Sequence, residues 1–335
     1  MNTNENQLDF VAIGDITTDA FIQLDAGAFV SKDSIGNEQL CVNFGDKIEY
    51  ENVTVVKAVG NSPNAATSAT RLGLNTGLVT HMGDDDNGVD CLEQLNTEGV
   101  STEFVTIQKG QKTNYHYVLR HGAERTILIK HYKYDYKLPK FTTAPKWLYF
   151  SSVGEDSMQY HHEIAQFIKD NPNTKLAFQP GTFQIKLGYE RIKDMYAVTE
   201  VFFCNKQEAK KILKTNEDDM LTLLTDFRKL GPKVAIITDG PNGAYAQDDT
   251  GSWQMPMYPD PAPPVDRTGA GDSFSSTVVA MLANGMSLPE ALVRGPINSM
   301  SVVQYIGAQK GLLSKDSIED HLVNAPEDYI IKQLA

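Results

Sequence analysis

Asp266-Arg267-Thr268-Gly269-Ala270-Gly271-Asp272 is the segment of this 335-residue chain best equipped for chemistry; Ser273-Phe274 and an apolar run to Leu282 follow it. Small residues let backbone N–H groups approach an anion closely. The helix expected to start here turns its positive dipole end the same way. Asp272 stands beside that anion site, where a carboxylate can take a proton from an attacking hydroxyl. An anion hole next to a base is what phosphoryl transfer to an alcohol requires.

Other segments supply polar groups at strand ends. Val11 to Ile13 reads as a buried strand closing at Gly14, with Asp15, Thr17 and Asp19 just beyond it. Ligands of open α/β sheets bind at such carboxyl ends, although Asp15 or Asp19 in a turn cap is the blander reading. Val59-Gly60-Asn61-Ser62-Pro63-Asn64 leads into a helix with Gly73 as its stop. Asn64 reads equally as a helix cap or as a ligand contact. Val201 to Asn205 reads as a strand, and Asn205 with Glu208 three residues on is an ordinary capping pair. Val234 to Thr238 is a buried strand entering a turn at Gly240, with Gly243 beyond. Asp84, Asp85 and Asp86 lack the glycine and distant glutamate of a calcium loop and read as a solvated turn and helix start.

These segments, in this order, resemble the signatures of the PfkB (ribokinase-like) family of carbohydrate kinases, from about residue 10 to about residue 313. The 266–272 segment is similar to the family's D-T-x-G-A-G-D, with Arg267 at the threonine. Residues 59–66 resemble G-G-x-x-x-N-x-A, with Val59 at the first glycine. Residues 83–88 resemble G-D-D-x-x-G, and residues 205–208 resemble N-x-x-E. The resemblance implies Asp272 as catalytic base and Gly269, Ala270 and Gly271 as the anion hole. It implies that Asp19, Gly60 and Asn64 hold sugar hydroxyls, with Asp15, Thr17 and Asn61 close by. Thr238, Gly240, Gly243, Thr268 and Asn298 fall on nucleotide contacts. ATP and Mg²⁺ are the implied cofactors, the Mg²⁺ organised through water by Asn205 and Glu208. A K⁺ site at Asp266, Thr268 and Gly307 is a further implication, and Ile306 and Ala308 lie where the family packs adenine.

The positioning elements follow from apolar pattern. Short buried runs at Phe10–Ile13, Lys146–Phe150, Lys175–Phe178, Val201–Phe203 and Val234–Ile237 are separated by helical stretches, which predicts a mainly parallel sheet covered on both faces. The expected architecture is α/β, a ribokinase-like three-layer αβα sandwich forming one domain over residues 1–335. Two β-rich stretches, about 21–57 and 104–131, are expected to form a small lid that excludes water and offers a homodimer surface. His121-Gly122-Ala123-Glu124 is its expected hairpin. A helix is expected from Asn298 to Ile306. His161 and His162 read as surface residues.

The basic stretch Arg120, Arg125, Lys130, Lys133, Lys137 and Lys140 reads as solvated charge, with binding of a sugar phosphate as the rival. Tyr132, Tyr134 and Tyr136 alternate there and read as sheet packing. The net charge of −13 argues against a nucleic-acid partner. Cys41, Cys91 and Cys204 are odd in number and widely spaced, which predicts neither a zinc site nor a disulfide framework. No apolar run reaches membrane-spanning length and the first nine residues lack a signal core, so a cytoplasmic protein without a membrane partner is expected. No Walker A sequence is present, and no G-x-G-x-x-G follows the first strand. The expected reaction is phosphorylation of a small sugar. A nucleoside acceptor on the same fold, or a binding module without chemistry, are the alternatives.

Overall fold

The computed structural model describes residues 7–122 and 124–334. Phe10–Ile13, fully buried, is an interior strand of a ten-stranded sheet, third from one edge. From one edge the order is Lys332–Gln333, Ser252–Met255, Ala244–Gln247, Val234–Thr238 and Val201–Asn205, then Lys175–Phe178, Trp147–Phe150, Phe10–Ile13, Thr76–Gly83 and Val105–Gln108. The strands from Val234–Thr238 to Val105–Gln108 pair in parallel. The three at the opposite edge are antiparallel.

Strand side chains alternate between faces, so one strand feeds two cores. Phe10 and Ala12 join the core under helices Asn61–Arg71 and Ala270–Ala283. Val11 and Ile13 join the core under helices Met158–Asp170, Tyr189–Ala197 and Met220–Lys229. This is the expected three-layer αβα sandwich.

A separate four-stranded sheet has the order Asn52–Val59, Thr17–Gln23, Asn114–His121, Glu124–Leu128. It begins earlier than the expected lid, at Thr17. Val105–Gln108, expected in the lid, instead extends the main sheet beside Thr76–Gly83. Its β-character was legible, but strand type does not say which edge a strand will join. Phe29–Lys32 and Glu38–Cys41 form a two-stranded sheet of their own. The lid hairpin pairs Arg120 with Arg125 and His121 with Glu124; Ala123 of the expected turn lies outside the described residues.

Two further expectations change. The helix expected at Asn298–Ile306 runs from Gly295 to Val302, with Pro296 in its first turn, where a missing N–H costs nothing. His161 is fully buried, not on the surface. Its ring meets Phe150 edge-on at 4.9 Å, and burial pushes its pKa down to about 4. A histidine that stays neutral when folded favours unfolding as pH falls through its ordinary range of about 6.5 toward 4. His162, the next residue, reaches Asp194 at 2.5 Å.

Candidate active site

Asp15 follows strand Phe10–Ile13 after Gly14, and its backbone oxygen meets the turn that starts the next helix. A Cβ on Gly60 would lie 2.7 Å from Asp15 O, and Gly60 has φ 120°, so this turn needs glycine. The helix that follows sets Asn61 and Asn64 three residues apart, on one face. Both point at Asp272. Asn61 Nδ2 donates to Asp272 Oδ1 at 2.7 Å and Asn64 Nδ2 to Oδ2 at 2.9 Å. Gln179 Nε2 adds a third bond at 3.3 Å.

These amides are themselves held. Gln309 Nε2 donates to Asn64 Oδ1 at 3.0 Å and to Ala58 O at 2.8 Å. Gln179 Oε1 accepts from Tyr149 Oη and from Ser275 Oγ. Asp272 is thus a buried carboxylate in a fixed frame of donors. Burial pushes its pKa up, opposed by Asn64, Asn61 and Gln179 and by the Arg125 guanidinium, and the net direction is upward. A base must be deprotonated to act. The acid limb of the pH–rate profile is therefore expected above the ordinary aspartate range. Asn61→Ala removes a bond that favours the carboxylate form, so that limb is expected to move to still higher pH. A limb unchanged or moved to lower pH in the variant would argue against this wiring.

Asp272 lies in the first turn of helix Ala270–Ala283. Gly269 caps that helix with φ 82°, and a Cβ there would lie 2.3 Å from Ala308 Cβ. Glycine thus brings the loop against Ala308 and leaves the first amides of the helix free for an anion. A Cβ at Gly271 would meet nothing nearer than Gln179 Nε2 at 4.0 Å, so this position opens into the cleft.

A cavity of about 470 Å³ gathers most of the predicted residues. Asp15, Thr17, Asp19, Gly60, Asn61 and Asn64 line it, as do Thr268, Gly269, Gly271 and Asp272; Asn205 and Thr238 reach it from strand ends and Glu208 from helix Lys206–Leu213. A second cavity of about 450 Å³ shares Thr238, Arg267, Gly271 and Phe274 with the first and adds Gly240, Gly243 and Ala270. Asn298 reaches neither. It is fully buried, donating to Thr277 Oγ1 at 2.8 Å and accepting from Leu313 N at 2.9 Å. It ties helix Gly295–Val302 to helix Ala270–Ala283 and to the backbone at Leu313.

The cation expectations divide. Asn205 and Glu208 form a reciprocal cap, Asn205 Oδ1 accepting from Glu208 N and Glu208 Oε2 from Asn205 N. Glu208 Oε1 takes no part in it. Burial raises the Glu208 pKa, and the charge of Asp272 adds to the rise. A partly desolvated carboxylate facing the cleft fits a hydrated Mg²⁺, which keeps its waters. Asp266 accepts from Thr268 N and Oγ1 through Oδ1, and from Gly307 N through Oδ2. Asp266, Thr268 and Gly307 are thus brought together around one buried carboxylate.

Sequence reading missed several cleft residues. Tyr136 Oη donates to Asp15 Oδ1 at 2.7 Å, and His131 Nδ1 lies 3.1 Å from Asp15 Oδ2. His116 Nδ1 lies 3.2 Å from Asp19 Oδ1. The lid register aligns Asp19 with His116, and alternation carries Arg125, Ile127 and Ile129 into the same cleft. Arg120, also from the basic stretch, is buried and donates to Val265 O at 2.6 Å. Lys133 and Lys137 are the solvated charges expected, paired with Asp156 and Asp135. Asp85 caps helix Asp86–Thr97, accepting from Gly88 N.

The model of the pfkB family of carbohydrate kinases matches residues 30–315. The chain belongs to this family. As a pfkB member it is an ATP-dependent kinase. It is 25% identical over 295 residues to an ATP-dependent 6-phosphofructokinase of Thermoanaerobacterium thermosaccharolyticum, covering 84% of this chain and 89% of that protein. It is 27% identical over 252 residues to a fructoselysine 6-kinase of Escherichia coli, covering 74% and 90%. The fold matches the crystal structure of a Methanocaldococcus jannaschii nucleoside kinase, an archaeal member of the ribokinase family, with TM-score 0.76. Identity there is 17%, over 95% of this chain and 99% of that one. No helix among the described residues is long and apolar enough to cross a membrane.

Proposed function

We propose that this kinase transfers the γ-phosphoryl group of ATP to a hydroxyl of a small sugar, with Asp272 as general base. The observation that carries the reading is the triple-amide frame around Asp272 in the first cavity, beside Gly271, which lines both cavities. The sugar lies in the first cavity, its hydroxyls on Asp19, Asn64 and the Asp15 end. The nucleotide lies along Thr238, Gly240 and Gly243, with Thr268 near its phosphates. Asp272 takes the proton of the acceptor hydroxyl as that oxygen attacks. The amides of Gly269, Ala270 and Gly271 receive the charge on the moving phosphoryl group. Asn205 and Glu208 would hold Mg²⁺ through water, and the bound ion would neutralise phosphate oxygens.

Phe183 and two imidazoles beside the acceptor carboxylates favour one rival, a nucleoside stacked by its base. ADP release across a panel of free sugars and nucleosides decides the order. Sugar-dependent ADP release is expected; release with nucleosides alone reverses it, and release with neither would contradict both acceptor classes.

The lid's outer face favours a second copy of the chain. Register places Val55, Ala20, Tyr117 and Leu128 in one row across four strands. Val55, Tyr117 and Leu128 are each half exposed, an apolar row that prefers cover. Sedimentation is expected to give a dimer, and Tyr117→Asp a monomer. A wild-type monomer at micromolar concentration would contradict it.

A further inference from the structure

Asp15 is buried, and each of its carboxylate oxygens already has a partner. Tyr136 Oη donates to Oδ1 at 2.7 Å, and His131 Nδ1 stands 3.1 Å from Oδ2. The Tyr136 ring is clamped. It stacks on Tyr160 at 5.5 Å and meets His81 edge-on at 5.3 Å. Its oxygen accepts from Gly154 N at 3.0 Å. A Cβ on residue 154 would itself lie 3.0 Å from that oxygen, so glycine allows the approach. Burial pushes the Tyr136 phenol pKa up, and the charge of Asp15 adds to the rise. Tyr136 therefore keeps its proton and stays a donor to Asp15.

His131 is held as well. Its ring packs against His116 at 5.2 Å and meets Phe183 edge-on at 5.5 Å. An ionised carboxylate only accepts, so Nδ1 carries the hydrogen and neutral His131 keeps its lone pair on Nε2. His131 lines the first cavity. Among the described residues its hydrogen bonding is spent through Nδ1 on Asp15, which leaves Nε2 free. His116, beside Asp19, differs: its Nε2 is buried away from solvent. Of the two imidazoles in the cavity, His131 is the one that offers a free acceptor nitrogen.

We propose that Tyr136, Asp15 and His131 form a relay that fixes the His131 tautomer, and that His131 Nε2 accepts from a sugar hydroxyl other than the one phosphorylated. His131 is then a specificity-determining residue, with Asp15 and Tyr136 as its positioning residues. The proposal rests on the reading of the first cavity as the sugar site. A sugar with fluorine in place of that hydroxyl has no hydrogen to give and leaves the nitrogen unpaired.

The test takes the best acceptor among ribose, fructose and glucose, with its monofluoro analogues at each hydroxyl that is not phosphorylated. One analogue is expected to fall about tenfold below its parent in kcat/KM, through KM, the scale of one lost hydrogen bond. His131→Ala should raise KM of the parent by a similar factor, largely keep kcat, and treat parent and that analogue alike. Asp15→Asn separates orientation from mere presence of the ring. Its single side-chain oxygen still accepts from Tyr136, so its amide N–H faces His131 Nδ1. That moves the imidazole hydrogen to Nε2 and turns the acceptor into a donor. The preference for the parent over that analogue is expected to vanish, although the histidine is intact. Tyr136→Phe keeps a carboxylate beside Nδ1, so the preference should survive. Should Asp15→Asn fail to fold, His131→Ala against wild type still decides. Analogues all equal to the parent in wild type, or a preference unchanged in His131→Ala, would overturn the proposal and leave the sugar reading standing. ATP left unconsumed with every sugar would overturn both.

Discussion

Asp272→Asn is expected to lower kcat by about 10²–10⁴-fold, the usual contribution of a general base, while sugar and ATP still bind. The substitution keeps volume and shape but removes the proton acceptor. It also turns one donor toward a donor. Asn61 and Asn64 each give an N–H to one oxygen of Asp272, and an amide offers only one oxygen. The lost bond costs about 1–3 kcal/mol. It is opposed by removal of a buried charge whose desolvation already raises the pKa. Thermal stability is therefore expected to change little. Steady-state turnover with calorimetric sugar binding separates the terms. A variant with near-normal kcat would end the assignment of the base.

Gly269→Ala is expected to damage both stability and turnover. The backbone there is left-handed, φ 82°, which costs a residue with a Cβ about 1–2 kcal/mol. That Cβ would also overlap Ala308, so the 269–271 loop or the 308 segment must move. Moving the loop takes donors away from the phosphoryl group, and losing one such donor costs about 10²–10³-fold in kcat. Gly271→Ala makes the comparison sharp. Its Cβ has room in the fold but projects into the cleft. It is expected to keep the melting temperature and lose ATP turnover. If Gly269→Ala matched wild type in both measurements, the loop would not be the anion cradle.

Much of this was legible in the chain because local chemistry and tertiary position coincide at strand ends. Phe10–Ile13 and Val234–Thr238 are apolar, short and followed by Gly or Asp, and each ends at the cleft. Gly60 and Gly269 sit where backbone geometry admits no other residue comfortably. What could not be read came from longer range. Gln179 and Gln309 are single polar residues whose importance appears only when they meet Asp272 and Asn64 across the fold. Val105–Gln108 has the composition of any edge strand, and it follows a 98–104 connection whose Ser101 bridges Gly77 on the main sheet. Arg125, Ile127 and Ile129 alternate as a strand should, but the pattern does not say which face looks into the cleft. His161 follows the helix periodicity of Tyr160, Ile164 and Ala165 toward the core; its polarity masked that signal.

The most direct test is ³¹P-detected transfer from ATP to acceptors, run with wild-type protein and Asp272→Asn side by side. A new sugar phosphate monoester is expected, formed one-for-one with ADP by the wild type and nearly absent with the variant. Monoester made at equal rates by both proteins would contradict it.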